Sequence, residues 1–311
     1  MTVPPPATQV TEPQSTTKAR VADSARWLKA AVQGMRPRQW PKNLLVFAAP
    51  LAGDTFGRSY GLWFGLVTVV AFISASSAVY LINDVVDAER DRNHPYKKFR
   101  PIASRRLPVP HAVTLAVCLV LTGLGIGLVI GVPWLTVTIA AYMIISFLYS
   151  AMLKHVPFIE LACVASGFVL RVVGGAVAMR VPPSGWFLLV CSLGALMVAI
   201  AKRYTELTVL GSDAVQHRPA MRGYSAGALR LTQRVVSAVM VVSYVFWAAT
   251  EPHARANVWH LISSVALAAA LVRFDRLTAR ATSKPVEDLI ARDPLMVCAE
   301  IAWLALFAIG L

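Results

Sequence analysis

Long apolar runs follow one another along this chain, broken only by proline, glycine and clusters of basic residues. A helix that crosses a bilayer needs roughly 20 apolar residues. Nine stretches meet or approach that length, near 40–57, 62–83, 111–131, 134–152, 157–179, 185–208, 229–250, 257–274 and 294–311. Inside hydrocarbon every backbone N–H and C=O must be satisfied within the segment, so these runs predict helices. The expected fold class is an all-α polytopic membrane protein with about nine transmembrane helices. Composition agrees, with 57% hydrophobic and 15% charged residues, where a soluble domain carries about a quarter charged.

The basic residues then orient the spans. With the N-terminus placed in the cytoplasm, 26 of the 30 Lys and Arg fall on the inner side. Only Arg58, Arg180 and Arg255 fall outside, and Arg171 lies within a span. That bias predicts a cytoplasmic N-terminus, cytoplasmic polar loops and an outer C-terminus; the plasma membrane is the expected location. The net charge of +14 is spread between the spans, which argues against nucleic acid and for lipid headgroups or phosphates. Cys118, Cys163, Cys191 and Cys298 lie in apolar runs without paired or metal-like spacing, so they read as small buried hydrophobes. Residues 1–24 are rich in Pro, Thr, Ser and Ala and predict a disordered tail, leaving 25–311 as one transmembrane domain. The basic stretch 25–40 predicts an amphipathic helix at the interface.

Span two ends in Asn83-Asp84-x-x-Asp87-x-x-x-Asp91. At about 100° per residue these four side chains share one third of a helix circumference. Three carboxylates and a carboxamide crowded together repel one another unless a hard cation sits among them. Mg²⁺ suits such a set, because it takes a few carboxylates and lets substrate phosphates complete its octahedron. The alternative is a solvated helix end with the acids paired to Arg90 and Arg92. The following loop carries six cations between Arg92 and Arg106, with Pro95 and Pro101 holding it extended. Tyr96, Lys97 and Arg100 are its candidate substrate contacts.

A second polar face closes span six, where Lys202, Arg203 and Glu206 fall on one side of the helix. Here cations dominate. Lys154 follows span four, and Lys42 begins span one, both on the inner side. Arg171 sits deep in an apolar run, and so costly a charge predicts a polar cavity or a partner. His94, His155 and His217 show no metal spacing.

Asn83-Asp84-x-x-Asp87-x-x-x-Asp91, followed by Arg100-Pro101-Ile102-Ala103-Ser104, resembles the first signature of the UbiA-type intramembrane prenyltransferases. The resemblance runs from about Arg36 to the C-terminus. It implies helices around a cytoplasm-facing central cavity, Mg²⁺ as cofactor, and metal ligation by Asn83, Asp84, Asp87 and Asp91. Family members acting on aromatic acceptors carry a second Asp-rich motif after span six, where this chain reads Lys202-Arg203-Tyr204-Thr205-Glu206. Arg36-Pro37-Arg38-Gln39-Trp40-Pro41-Lys42-Asn43, Tyr149-Ser150-x-x-x-Lys154 and Gly167-Phe168-Val169-Leu170-Arg171 are similar to a branch with other substrates. In that branch phosphoribosyl diphosphate is the donor and a polyprenyl (decaprenyl) phosphate the acceptor, giving a lipid-linked arabinose donor for cell-wall synthesis.

Extra cations suit that pair of anionic substrates better than a neutral phenol. The implied chemistry has Asp84, Asp87 and Asp91 acting with Mg²⁺ on the departing diphosphate while ribose C1 gains oxocarbenium character. The lipid phosphate oxygen, already anionic, attacks C1 without a general base. Lys42, Asn83, Tyr96, Lys97, Arg100, Lys154, Arg171, Lys202, Arg203 and Glu206 are the candidate substrate-binding residues. Prenyl transfer to an aromatic or quinone-precursor acceptor is the main alternative, and a transporter with an acidic ion site the second. A homo-oligomer is compatible with the sequence.

Overall fold

A computed structural model describes residues 26–52, 61–211, 219–250, 254–280 and 286–310. The expected disordered tail, Arg58 and the C-terminal Leu311 lie outside the described residues. Every regular element among those described is helical. A helix over residues 26–34 (α1) leads into a 3₁₀ segment, Pro37–Phe47, and a short helix α2 (Ala48–Ala52). Then come α3 (Gly61–Val86), α4 (Ala88–Arg92), α5 (Val109–Val129), α6 (Pro133–Ala151), α7 (Ile159–Ala178) and α8 (Gly185–Leu210). The chain closes with α9 (Ala226–Thr250), α10 (Ala254–Thr278), α11 (Val286–Arg292) and α12 (Pro294–Gly310).

Seven of these helices, α3 and α5 through α10, are long and apolar enough to cross a bilayer. With the family resemblance this makes the chain a multi-pass membrane protein. They match the second through eighth expected spans. The last expected span is α12, apolar but only 17 residues long. The first is not a continuous α-helix. Pro41 lies inside the 3₁₀ segment and can donate no hydrogen bond, which interrupts the ladder there. Eleven residues is long for 3₁₀ structure, and tertiary ties described below hold it.

The chain divides into two compact units, with boundaries inside the 3₁₀ segment after Gln39, inside α3 and inside α5. In the first unit α1, the end of α3, α4, the loop before α5 and the start of α5 enclose Ala30, Ala31, Leu81, Ile102, Leu107 and Ala112. Gly34 permits the close approach, because a Cβ there would lie 2.9 Å from a Leu81 methyl. The loop is pinned from within: the Leu107 N–H donates to the Pro101 carbonyl at 3.0 Å, and Arg106 donates to Gln33 Oε1 at 2.8 Å and to the Phe99 carbonyl at 2.7 Å.

In the second unit, helices adjacent in sequence pack on one another from α6 to α10, and α12 packs on α10. Met197, Ile200, Val236, Leu271 and Phe274 form its largest apolar cluster. Phe72, Leu135, Ile139 and Tyr142 form another, with Val46 of the 3₁₀ segment. Small residues let α7 touch that segment backbone to backbone. A Cβ on Gly175 would lie 2.6 Å from the Val46 carbonyl carbon. Asp293 caps α12 by accepting from the Met296 N–H at 2.9 Å, while Arg273 donates to both its oxygens at 2.9 and 2.6 Å.

Two outcomes follow for stability. Gly175→Ala should destabilise by about 1–3 kcal/mol through overpacking, lowering the melting temperature in detergent. Gly125→Ala, which meets nothing within 4 Å, should not lower it. The Arg273 hydrogen bonds hold the Asp293 carboxyl at about 2, below its ordinary 3.8. A depressed carboxylate stabilises fully above the ordinary value and loses that effect as pH falls toward the depressed one. The melting difference between wild type and Asp293→Asn should therefore be full at neutral pH and close as pH drops from 3.8 toward 2.

Candidate functional site

The acidic motif begins on α3 and ends on α4. The helix breaks at Asp87, whose φ and ψ of −88° and 2° fall in the bridge region. Its i to i+4 backbone bonds nevertheless continue. The Asp87 N–H donates to the Asn83 carbonyl at 2.9 Å, and the Asp91 N–H to the Asp87 carbonyl at 2.8 Å. The expected shared face therefore survives the break. It has two levels: Asp84 and Asp91 are buried, whereas Asn83 and Asp87 are half-exposed.

Both buried acids are neutralised by arginine. Arg36 donates from Nη2 to Asp84 Oδ1 at 2.5 Å. Arg100 places a single nitrogen, Nη1, 3.1 Å from that same oxygen and 2.8 Å from Asp91 Oδ2. Asp87 meets the exposed Arg90 at 3.5 Å, the partner expected for a solvated helix end. Arg36 follows α1 in a left-handed conformation, φ 55°. That backbone costs about 1–2 kcal/mol in a non-glycine residue. It brings the guanidinium onto the Tyr80 ring, 4.6 Å from the centroid, and onto Asp84.

Among the described residues no three His, Cys, Asp or Glu side chains converge to hold a metal ion. The donor set is nonetheless suited to one. Asp84 and Asp91 already direct one oxygen each at a single positive nitrogen of Arg100, a stand-in for a cation between two carboxylates. Hard oxygen donors in this arrangement fit Mg²⁺. Asn83 and Asp87, of the same motif, are half-exposed.

The loop beyond holds its other candidates differently. His94 Nδ1 accepts the N–H groups of Tyr96 and Lys97 at 3.2 and 3.3 Å, which fixes the backbone there. The Tyr96 and Lys97 side chains are exposed. No contact joins either to the acids.

The second unit has its own polar residues. Arg171 is 6% exposed, and each of its three guanidinium nitrogens donates to protein. Nε donates to Asn43 Oδ1 at 2.7 Å, Nη1 to the Gly167 carbonyl at 2.5 Å and Nη2 to the Tyr142 hydroxyl at 2.9 Å. The Tyr142 ring lies 4.7 Å from the guanidinium carbon. Sequence put Arg171 among the substrate contacts; in the structure Asn43, Tyr142 and the Gly167 carbonyl meet its charge. Together they tie α6 and α7 to the 3₁₀ segment that carries Lys42.

Arg203 is also buried, between two glutamates. Its Nε lies 2.8 Å from Glu160 Oε1, an ion pair outside hydrogen-bond angles, and its Nη1 donates to Glu206 Oε2 at 2.5 Å. Sequence alone made this face cationic, but Glu160 shifts the balance, so Lys202, Arg203, Glu160 and Glu206 sum to zero. Lys202, Lys42 and Lys154 are half-buried. Tyr224 steadies the chain after Lys154. Its hydroxyl accepts the Phe158 N–H at 2.7 Å, and burial raises its pKa above the ordinary value.

Sequence reasoning missed Arg36, Glu160, Asn43 and Tyr142. Glu160 carried a signal, being an acid at the start of an apolar run, a position that defaults to function or pairing. Arg36 and Asn43 stand in the stretch that carries the family resemblance, but nothing there set Arg36 apart from its basic neighbours as the partner of Asp84.

Residues 44–291 match the UbiA prenyltransferase family. The chain is 35% identical over 285 residues to a protein of Mycobacterium tuberculosis named decaprenyl-phosphate phosphoribosyltransferase, covering 90% of this chain and 94% of the relative. A protein of the same name from Corynebacterium glutamicum is 34% identical over 278 residues, covering 88% and 83%. In fold the chain is similar to a UbiA homologue from Archaeoglobus fulgidus bound to GPP and Mg²⁺, with a TM-score of 0.68, 16% identity, and coverage of 90% and 98%.

Removing one member of a buried ion pair strands the other charge. Arg203→Gln should therefore cost about 3 kcal/mol or more, read as a lower midpoint in thermal or denaturant unfolding. Glu160→Gln combined with Arg203→Gln should recover most of that loss.

Proposed function

We propose that this chain, which belongs to the UbiA prenyltransferase family, transfers a 5-phosphoribosyl group from phosphoribosyl diphosphate to a polyprenyl phosphate. The carrying observation is the pair of buried carboxylates converging on one cation. It occurs in a chain 35% identical over most of its length to proteins named for phosphoribosyl transfer to decaprenyl phosphate. Decaprenyl phosphate is accordingly the proposed acceptor. The active site is proposed to face the cytoplasm from the plasma membrane, where a water-soluble sugar diphosphate is available.

Asp84, Asp87 and Asp91, assisted by Asn83, would hold Mg²⁺, which when bound supplies positive charge to the departing diphosphate. Arg100 and Lys97 take diphosphate oxygens in this reading, and Lys42, Lys154 and Lys202 take the other phosphates of donor and acceptor. Tyr96, Arg203 and Glu206 complete the substrate-binding set. Arg171 acts by positioning, since its hydrogen bonds hold the segment that carries Lys42. As the bond from ribose C1 to the diphosphate oxygen breaks, its electron pair leaves with the diphosphate. The anionic oxygen of the lipid phosphate forms the new bond to C1. No proton must be removed from that nucleophile, so this reading calls for no general base.

Membranes carrying the protein, given ribose-labelled phosphoribosyl diphosphate and decaprenyl phosphate, should transfer label to the lipid extract. Chelation of Mg²⁺ should stop transfer. Asp84→Ala or Asp91→Ala should slow it by about a hundredfold or more. If ribose label never reaches lipid while a prenyl diphosphate is consumed with a phenol, the prenyl-transfer reading replaces this one.

A further inference from the structure

The acids and arginines of the motif are arranged in depth. Asp84 and Asp91 side chains are 3% exposed, whereas those of Arg36 and Arg100 are 31% and 30% exposed. The cations therefore stand between the carboxylates and solvent. Their charges cancel, two against two. A bare divalent ion entering this network would leave it with two uncompensated positive charges in a half-buried place, which is costly. A metal that arrives with an anionic diphosphate restores balance, because its charge and that of the guanidiniums are met by phosphate oxygens.

We propose that Arg36 and Arg100 are placeholders that exchange partners on ligand binding. They occupy the carboxylates of Asp84 and Asp91 until the metal and diphosphate arrive together. They then yield those oxygens to Mg²⁺ and turn their N–H groups to the diphosphate. The inference rests on the metal–diphosphate reading above and adds to it a rule of binding, that metal and diphosphate each bind poorly without the other. Three features fit the exchange. A single Arg100 nitrogen bridges the two acids, where a cation would sit. Asp84 Oδ1 carries both arginines, so a cation taking that oxygen releases Arg36 and leaves Arg100 held by Asp91 alone. Tyr80 supports the Arg36 guanidinium from its face, leaving the N–H edge able to change partner.

The test measures Mn²⁺ binding by electron paramagnetic resonance on the detergent-solubilised full chain, with and without inorganic pyrophosphate. Wild type should bind Mn²⁺ about tenfold or more tightly with pyrophosphate than without it. Arg100→Gln should bind Mn²⁺ alone about tenfold more tightly than wild type and gain little from pyrophosphate. Arg36→Gln leaves Arg100 on both acids, so it should keep the fold and shift in the same direction by a smaller factor. If Arg100→Gln folds only when Mg²⁺ is present, the metal has taken the guanidinium's place, which supports the exchange. Folded variants that bind Mn²⁺ alone no more tightly than wild type overturn it, even where pyrophosphate still tightens wild-type binding. Wild type that binds no Mn²⁺ in either condition overturns the metal–diphosphate reading and the exchange with it.

Discussion

A carboxylate buried at the end of a membrane helix cannot remain ionised without a cation beside it, and the Asp84–Arg100–Asp91 bridge answers that demand. Much of the first unit is arranged to deliver it. Pro101, Ile102 and Leu107 fold the loop back so that Arg100 reaches the acids. The left-handed Arg36 ends α1 where its side chain reaches Asp84. Burial of Ala30, Ala31 and Gly34 against Leu81 and Leu107 brings α1 close enough for that reach. The apolar packing sets distances, and the charges make those distances matter.

The same logic recurs in the second unit with the signs reversed. Arg171 and Arg203 are buried cations there, and each is surrounded by acceptors. The ties differ in kind. Arg171 is held by neutral acceptors, whereas the charge of Arg203 is offset by two glutamates.

The helices were legible in the sequence because a bilayer span needs only length and apolarity, both local properties. The shared face of Asn83, Asp84, Asp87 and Asp91 was legible too, since i to i+4 geometry survives the break at Asp87. Pro41 did not announce 3₁₀ structure, because a proline near a helix start is ordinary. What holds that segment is Asn43 with Arg171, 128 residues apart. Pairing at such a distance leaves no periodic trace. The pairing of Arg36 with Asp84 was missed for the same reason, whereas Glu160 was visible as an acid in an apolar run but its pairing, which changed the charge of the Arg203 face, was not.

The order in which Arg171 and its partners occur along the chain bears on how such a charge enters a membrane. Asn43 precedes it by 128 residues and Tyr142 by 29, and the Gly167 carbonyl lies one turn before it in the same helix. During synthesis every acceptor is therefore made before the cation that needs it. The guanidinium emerges into a nascent protein whose receptors already exist, and it need never face lipid alone. Biogenesis and stability thus place the same requirement on this residue, and chain order meets it.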